Sequence, residues 1–351
     1  MKADTSSPAP DLSEGVIQSN LVRFLSESFG EPVDVSEFRR CSSGFSWMTF
    51  SLLARSPSRG AEELILQVGP QTGLLAPYSA RPQALVLKAL VQKAPGGSAV
   101  PVAELVAWSD DESALGAPFF VCRKVAGDAI VPWDQDRIPV PQRRSMAEQM
   151  MDILGALHSS DAAAQALGTL QPEVTVANAA TAEVQAWIDK STAWRTRSYP
   201  SLTWAGHWLL RNAPAAPRVV AVHGDFRLGN FLQQAGHITA MLDWELAHVG
   251  HPHEDLGWLL SAIYNKGSRE LFGVMPRDEA MARYTARSGI AVDASSVHYF
   301  ECLAMFKSIV ITQAGGYSYM RRGFDDMRLL SMGAQMASMV RALDKLIGAR
   351  P

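Results

Sequence analysis

The 351-residue sequence has few cysteines, no long apolar run and no strong excess of charge of either sign. Its three cysteines, Cys41, Cys122 and Cys302, are far apart and odd in number, which argues against a disulfide framework and predicts reduced thiols. No apolar run approaches the roughly 20 residues that a membrane helix needs. The formal net charge of −3 gives no sign of a nucleic-acid-binding surface. We therefore expect a cytoplasmic protein with neither a nucleic-acid nor a membrane partner.

Composition and periodicity divide the chain into three parts. Residues 1–15 lack the charged-then-apolar pattern of a signal peptide and are rich in Ser, Pro and acidic side chains, which is typical of a flexible tail. Residues 16–125 contain several strand patterns, such as "ELILQVGP", and predict a small strand-rich N-terminal lobe. Residues 126–351 have mainly helical periodicity around two short strands, and predict a larger helical C-terminal lobe. The expected fold class is α+β.

The last of the predicted helices covers "RLLSMGAQMASMVRALDKLIG". Its apolar stripe contains three methionines, Met332, Met336 and Met339, followed by Leu343 and Leu346. Because methionine fills irregular gaps between helices, this stripe predicts core packing and not a cofactor surface.

Two aspartates and an asparagine follow short apolar strands in the middle of the chain. "VVAVHGDFRLGN" places Asp225 and Asn230 after one strand, and "AMLD" places Asp243 at the end of the next. One carboxylate can align a nucleophile or accept its proton. The other, with the amide oxygen, suits Mg²⁺, which takes one or two protein carboxylates and leaves positions for water and substrate phosphates. Phosphoryl transfer needs such electrostatic clamping and alignment, so the pattern predicts a phosphotransferase.

The pair "HGDFRLGN" and "LDWE", in that order, resembles the catalytic and metal motifs of the aminoglycoside phosphotransferase and choline kinase group. Similarities at "SSGFSWMTFSLL", "LGAPFFVCRKVAGD" and "GHPHEDLGWLL" extend this resemblance over nearly the whole chain. The details are most similar to the kinase-like domain of acyl-CoA dehydrogenase family members ten and eleven, and to free-standing bacterial relatives of that domain. These proteins are small-molecule kinases with a protein-kinase-like fold.

The resemblance implies a bilobal fold in which the N-terminal lobe binds nucleotide and the C-terminal lobe performs catalysis and binds the acceptor. It further implies that the γ-phosphate of ATP, or of GTP, is transferred with Mg²⁺ to a hydroxyl of a small substrate. The leading acceptor is a hydroxyacyl-CoA, from which a dehydrogenase-like protein then eliminates the phosphate. For this sequence we expect that acyl-CoA dehydrogenase-like partner to be a separate protein.

Carried over position by position, the resemblance implies three groups of site residues. The catalytic group is Asp225 as the base, His223 as a brace for its loop, and Arg227. The metal ligands are Asn230 and Asp243, assisted by Glu245. The nucleotide contacts are Ser42, Ser43, Gly44, Phe45, Ser46, Gln67, Gln83, Cys122 and Lys124. Asp255, at the start of "DLGWLL", is expected to be a structural anchor.

Two positions depart from the family pattern. The third strand normally supplies a cation for the nucleotide phosphates, and the following helix supplies a glutamate that pairs with it. Here those positions hold Gln67 and Gln83, whose amides cannot neutralise phosphate charge. Another cation, such as Arg39, Arg40 or Arg81, then serves the phosphates, or the protein is a non-catalytic kinase-like binding protein. An antibiotic phosphotransferase of the aminoglycoside type is a further alternative.

Three histidines, His248, His251 and His253, are close together in "AHVGHPHEDL". Such spacing invites a zinc hypothesis. No cysteine lies nearby, and Gly250 and Pro252 indicate an irregular turn, so we do not expect a zinc site there.

Overall fold

The computed structural model describes residues 10–41, 46–91, 99–323 and 326–349. The chain divides into two compact units. The strand-rich unit contains Met1–Ala84 and Glu104–Lys124, and the helical unit contains Leu85–Ala103 and Val125–Pro351. The segment 85–103 belongs with the helical unit, where the backbone N–H of Met241 donates to the carbonyl of Pro101 at 2.8 Å.

The strand-rich unit is built on a five-stranded antiparallel sheet with the order β1-β2-β3-β5-β4. Its elements are α1 (Glu14–Phe29), β1 (Asp34–Arg40), β2 (Met48–Ser56), β3 (Gly60–Val68), residues 81–84 of α2 (Arg81–Val91), β4 (Leu105–Ser109), α3 (Glu112–Leu115) and β5 (Phe119–Arg123). Side chains of β3 alternate between buried and more exposed, as expected for a strand with one face in the core. That core includes Leu21 of α1, Phe50, Leu64 and Phe119.

Strand β4 has no strand pattern in its sequence. It pairs with β5 alone and its register shifts between Leu105 and Ala107. Its sequence, LVAWS, does not alternate between apolar and polar side chains. In the structure all five residues are half-buried.

Besides residues 85–91 of α2, the described part of the helical unit contains nine helices, α4–α12, together with short strands. The elements are β6 (Asp128–Ala129), α4 (Val140–His158), α5 (Asp161–Gly168), α6 (Ala179–Ala193), α7 (Pro200–Arg211), β7 (Val220–Val222), β8 (Phe231–Gln234), β9 (His237–Met241), β10 (His248–Gly250), α8 (His253–Leu260), β11 (Glu270–Leu271), β12 (Met275–Pro276), α9 (Arg277–Ser288), α10 (Ala294–Arg321), α11 (Met327–Ala334) and α12 (Met336–Gly348). Helix α10 is central, since it packs against α6, α7, α8, α11 and α12. The predicted α+β class, strand-rich first and mainly helical afterwards, is confirmed.

The predicted single helix over 328–348 is interrupted, because α11 ends and α12 begins around Gln335. There the N–H of Gln335 donates to the carbonyl of Met332 at 3.0 Å, which is a tighter turn than that of an α-helix. The methionine stripe packs on α10 nevertheless: the Met339 sulfur lies 3.6 Å from the Thr312 hydroxyl. Among the described residues, no helix is both long enough and apolar enough to cross a bilayer.

A hairpin and a short strand position the polar residues of the central segment. Strands β8 and β9 pair with Phe231 opposite Met241, and the N–H of Leu242 donates to the carbonyl of Asn230 at 2.8 Å. Asn230 and Asp243 therefore lie at the same open end of the hairpin. The buried strand β7 pairs with β10 and ends immediately before His223.

Candidate active site

The loop after β7 takes its shape from Asp255 of α8. One carboxylate oxygen of Asp255 accepts the backbone N–H of His223 at 2.8 Å, and the other accepts that of Gly224 at 2.9 Å. Gly224 has a φ of +84°, and a Cβ at this position would lie 2.5 Å from the carbonyl oxygen of Leu246. Only glycine therefore fits here, and the turn directs the following residue, Asp225, away from the strand.

Asp255 is fully buried and is itself held in place. His158 Nε2 lies 3.1 Å from the Asp255 carboxylate, and His158 Nδ1 lies 2.7 Å from the Tyr284 hydroxyl. Burial would raise the pKa of Asp255, but the interactions with His158 and His223 outweigh it and lower the pKa. Asp255 thus anchors the loop, in agreement with the role expected from its sequence position.

His223 links this loop to the end of β9. Its Nε2 lies 2.9 Å from the carbonyl oxygen of Leu242, and its Nδ1 accepts the N–H of Asp225 at 3.3 Å. Burial lowers the pKa of His223, so the ring is neutral with its proton on Nε2. Because Leu242 precedes Asp243, the imidazole connects the backbone of one aspartate to that of the other.

Three donors orient the carboxylate of Asp225. Trp258 Nε1 and Arg227 Nε each donate to Oδ1 at 2.7 Å, and Asn230 Nδ2 donates to Oδ2 at 2.5 Å. The Asp225 side chain keeps 13% of its surface exposed, so a ligand can still reach it. An oriented, reachable carboxylate can accept a hydrogen bond from a substrate hydroxyl and align it.

The contribution of Trp258 was not foreseen from the sequence. Asp255 and Trp258 are three residues apart on α8, so they share a helix face and both reach the same loop. That spacing in "DLGWLL" is the signal that could have revealed it. Tyr264, also not foreseen, stacks on Trp258 with ring centroids 5.0 Å apart, and the Arg227 guanidinium lies 5.7 Å from the Tyr264 ring centroid.

Asp243 has a different environment from Asp225. It has a left-handed backbone with φ +64°, and no described residue forms a hydrogen bond or ion pair with its carboxylate. The residue as a whole is exposed, but the protein atoms around its carboxylate remove part of the hydration of the charged form. This burial, together with the negative charge of Asp225, raises the pKa of Asp243 to about 6, against a smaller opposing effect of Arg227. Two carboxylates with too little positive charge between them suit a divalent cation.

The two other expected metal ligands, Asn230 and Glu245, have different partners. Asn230 uses its amide nitrogen to contact Asp225, and its amide oxygen has no donor among the described residues. Glu245 lies on a one-turn 3-10 helix, Trp244–Leu246, directly after Asp243. The charge of Glu245 interacts with that of Lys190 on α6.

Most of the predicted nucleotide hairpin, Ser42, Ser43, Gly44 and Phe45, lies outside the described residues. Ser46 precedes β2. In the same unit, Gln67 lies on β3 opposite Phe120 of β5. Gln83 on α2 is 2% exposed, and its Nε2 has no hydrogen-bond partner. The structure therefore contains no hydrogen bond from Gln83 Nε2 to Gln67 in the described part of the chain.

Cys122 and Lys124 lie on and just after β5. Cys122 is buried, which raises the pKa of its thiol to about 12, so it stays protonated. Lys124 Nζ lies 2.8 Å from the Glu63 carboxylate. The substitute cations named above, Arg39, Arg40 and Arg81, are all exposed and form no ion pair with a described carboxylate. These arginines stay candidates for phosphate contact. Of the predicted site residues, the structure brings together His223, Asp225, Arg227 and Asn230 by hydrogen bonds.

Comparison with known proteins identifies relatives that are similar in sequence to large parts of this chain. Mouse acyl-CoA dehydrogenase family member 11 is 27% identical over 313 residues, which cover 86% of this chain. Mouse acyl-CoA dehydrogenase family member 10 is 28% identical over 204 residues, or 58% of this chain. The aligned parts span 38% and 18% of those two proteins, so the similarity concerns a minor part of each.

Solved structures share the fold at low sequence identity. A Ralstonia eutropha JMP134 protein provisionally described as an aminoglycoside phosphotransferase has a TM-score of 0.69 and 20% identity, with 95% of this chain and 99% of that one covered. A choline/ethanolamine kinase family protein from Mesorhizobium loti has a TM-score of 0.53 and 15% identity, with 90% and 89% covered. A mutant of aminoglycoside phosphotransferase APH(4)-Ia, solved with ADP and hygromycin B, has a TM-score of 0.51 and 15% identity, with 94% and 100% covered.

Residues 37–291 match the sequence profile of the phosphotransferase enzyme family. This match runs from β1 to the segment after α9, and so includes the loop of Asp225 and the hairpin that ends at Asp243. The predicted relationship is confirmed: the chain belongs to the phosphotransferase enzyme family.

Proposed function

We propose that the protein is a small-molecule kinase that transfers the γ-phosphate of ATP, or of GTP, to a hydroxyl of its acceptor. The observation that carries this proposal is the environment of Asp225. Its carboxylate is fixed by Trp258, Arg227 and Asn230 and is still partly exposed. In this role Asp225 accepts the hydrogen bond of the acceptor hydroxyl, aligns its oxygen for attack, and receives the proton as the new bond to phosphorus forms.

The donor set around Asp243 fits Mg²⁺. Asp243 and Asn230 would hold the ion through a carboxylate and an amide oxygen, neither of which has a donor among the described residues. When bound, Mg²⁺ supplies positive charge to the nucleotide phosphates. Glu245 is the third candidate ligand, through its position two residues after Asp243. His223 holds the two aspartates in a fixed relative position, since its ring bonds to the backbone of Asp225 and to the carbonyl of Leu242, which precedes Asp243.

A cavity in the helical unit favours an anionic acceptor over a cationic antibiotic. It lies between α6, α7 and α10 and has a volume of about 110 Å³, enough for a phosphate- or carboxylate-sized group. Arg195, Arg197 and His207 line it, and none of its described lining residues is acidic. Neither arginine has a carboxylate partner among the described residues. A site for a polycationic aminoglycoside would need the opposite charge.

A hydroxyacyl-CoA combines the acceptor hydroxyl with several negative charges, and is therefore our leading acceptor. The similarity to acyl-CoA dehydrogenase family members 11 and 10 supports this class. We further propose that an acyl-CoA dehydrogenase-like protein uses the phosphorylated product. The competing function is a non-catalytic kinase-like binding protein, which is favoured by the amides at Gln67 and Gln83.

The Asp225→Asn variant tests the catalytic proposal. The amide cannot take the proton of the acceptor, so kcat should fall about 10²- to 10⁴-fold, while nucleotide affinity stays close to that of the wild type. Release of nucleoside diphosphate is measured with a panel of hydroxyacyl-CoA thioesters, aminoglycosides and choline. Asp278→Asn, an exposed aspartate on α9, is the control and should retain full turnover. Full turnover in Asp225→Asn would remove Asp225 as the base.

The raised pKa of Asp243 predicts how metal binding depends on pH. Below a pKa of about 6 the carboxylate is protonated and cannot ligate, whereas above it the carboxylate is ionised. Affinity for Mn²⁺, used alone as a spectroscopic probe for Mg²⁺, should therefore be roughly tenfold weaker at pH 5 than at pH 7. Electron paramagnetic resonance titration gives the affinity without nucleotide. Asp243→Asn should bind weakly at both pH values, and a wild-type affinity that is constant from pH 5 to 7 would exclude Asp243 as a ligand.

The basic cavity predicts a selective effect on the acceptor. Arg195→Ala and Arg197→Ala should each raise KM for an acyl-CoA acceptor about three- to tenfold, since both arginines are exposed and partly screened by solvent. KM for the nucleotide should not change. Arg211→Ala, at the end of α7 and outside the cavity lining, is the matched control. Unchanged acceptor KM in both cavity variants would show that the acceptor lies elsewhere.

A further inference from the structure

Four ionisable residues, three of them buried and one half-buried, form a group next to Trp258, which donates to Asp225. We call it the ion cluster: Lys307 of α10, Glu183 of α6, Glu254 of α8 and His248 of β10. Lys307 Nζ lies 2.7 Å from an oxygen of Glu183 and 2.7 Å from an oxygen of Glu254. His248 Nε2 lies 3.2 Å from Glu254 and 3.6 Å from Glu183. The Lys307 side chain is 1% exposed, so the cluster joins four elements inside the unit.

The charges of the ion cluster balance within it. Burial opposes the charged form of His248, but the carboxylates of Glu183 and Glu254 outweigh it and raise the pKa of His248 to about 9. Two cations then face two carboxylates. Glu183, His248 and Glu254 could together hold a metal ion, but the ammonium of Lys307 already lies between the two carboxylates.

A buried ion cluster of this kind contributes little net stability to a core. Removing four charged groups from water costs several kcal/mol for each ion before their attraction is counted, and well-packed apolar residues often do as well or better. Stability alone therefore does not account for the cluster.

Lys307 contacts the side chain that orients Asp225. Its Nζ lies 5.4 Å from the ring centroid of Trp258 and 5.1 Å from that of Trp187, within range of a cation–π interaction with each indole. Trp187 is held separately, because its Nε1 donates to Glu183 at 2.6 Å. Trp258 has its Nε1 directed at Asp225, with a donor–acceptor distance of 2.7 Å.

We propose that Lys307 is a positioning residue for the reaction: held by Glu183 and Glu254, its ammonium fixes the Trp258 indole so that the indole N–H orients Asp225. Lys307 acts through Trp258 and contacts no reacting atom itself. This inference rests on the proposed function, in which Asp225 aligns the acceptor hydroxyl. The proposal accounts for the position of the buried ammonium. It lies between the indole of Trp187, which donates to Glu183, and the indole of Trp258, which donates to Asp225.

The first test follows the Trp258 indole N–H directly by ¹H–¹⁵N NMR, with its signal assigned by its loss in Trp258→Phe. Lys307→Met should move this signal away from its hydrogen-bonded position. The matched control is Lys190→Met, because the Lys190 ammonium lies 4.2 Å from the Trp187 ring centroid, and that variant should leave the Trp258 signal in place. An unmoved signal in folded Lys307→Met would overturn the proposal.

The second test measures turnover in a double-mutant cycle, with the compound of the hydroxyacyl-CoA, aminoglycoside and choline panel that the wild type turns over. Lys307→Met should lower kcat about tenfold or more and change KM for the nucleotide less than twofold. In a Trp258→Phe background the same change should have no further effect on kcat, since the indole N–H through which Lys307 acts is gone. Independent, multiplicative losses in kcat would contradict the positioning role.

Lys307→Met leaves the two carboxylates of the ion cluster with His248 as their only cation within it, and this excess of one negative charge can prevent folding. The triple variant Lys307→Met, Glu183→Gln, Glu254→Gln removes that excess charge. Its Trp258 NMR signal and its kcat are measured in the same way. An unmoved signal, or independent losses in kcat with Trp258→Phe, would again contradict the proposal. The NMR signal does not depend on turnover. If Asp225→Asn keeps its activity while Lys307→Met still moves the Trp258 signal, the proposed function has failed and the contact between Lys307 and Trp258 has not.

Discussion

The buried carboxylate of Asp255 accepts the backbone N–H groups of His223 and Gly224, and the geometry of the site depends on these two hydrogen bonds. They fix the turn after β7 from which Asp225 projects, and a Cβ at Gly224 would collide with the backbone of Leu246. The same face of α8 supplies Trp258, which donates to Asp225. One helix therefore both shapes the loop and orients the carboxylate that the loop carries.

The two aspartates have different environments, and this difference supports the different roles that we propose for them. Asp225 has three hydrogen-bond donors, which suits a group that must hold one orientation towards a hydroxyl. Asp243 has no such donor among the described residues, and burial with the nearby charge of Asp225 raises its pKa. A carboxylate in that state favours a cation as its partner. In the proposed function, Asp225 aligns the acceptor and Asp243 helps to neutralise phosphate charge, which are the two needs of phosphoryl transfer.

Local patterns in the sequence were enough to predict the α+β class and the positions of the two aspartates at the ends of apolar strands. The helix over 328–348 was placed correctly in extent, but its interruption at Gln335 depends on a local hydrogen bond that no periodicity reveals. Lys307 could not be foreseen, because its partner Glu183 lies 124 residues away in the chain and becomes a neighbour only when α6 and α10 pack. The roles at Gln67 and Gln83 stay predictions, since they depend on a bound nucleotide.

Calorimetric titration with ATP and with GTP, in the presence and absence of Mg²⁺, tests the central claim most directly. The account predicts that the wild type binds nucleotide much more tightly with Mg²⁺, and that Asp243→Ala loses this gain while Asp278→Ala, an exposed aspartate of α9, retains it. Nucleotide binding that is indifferent to Mg²⁺, or a full Mg²⁺ effect in Asp243→Ala, would contradict the assignment of the metal site at the end of the β8–β9 hairpin.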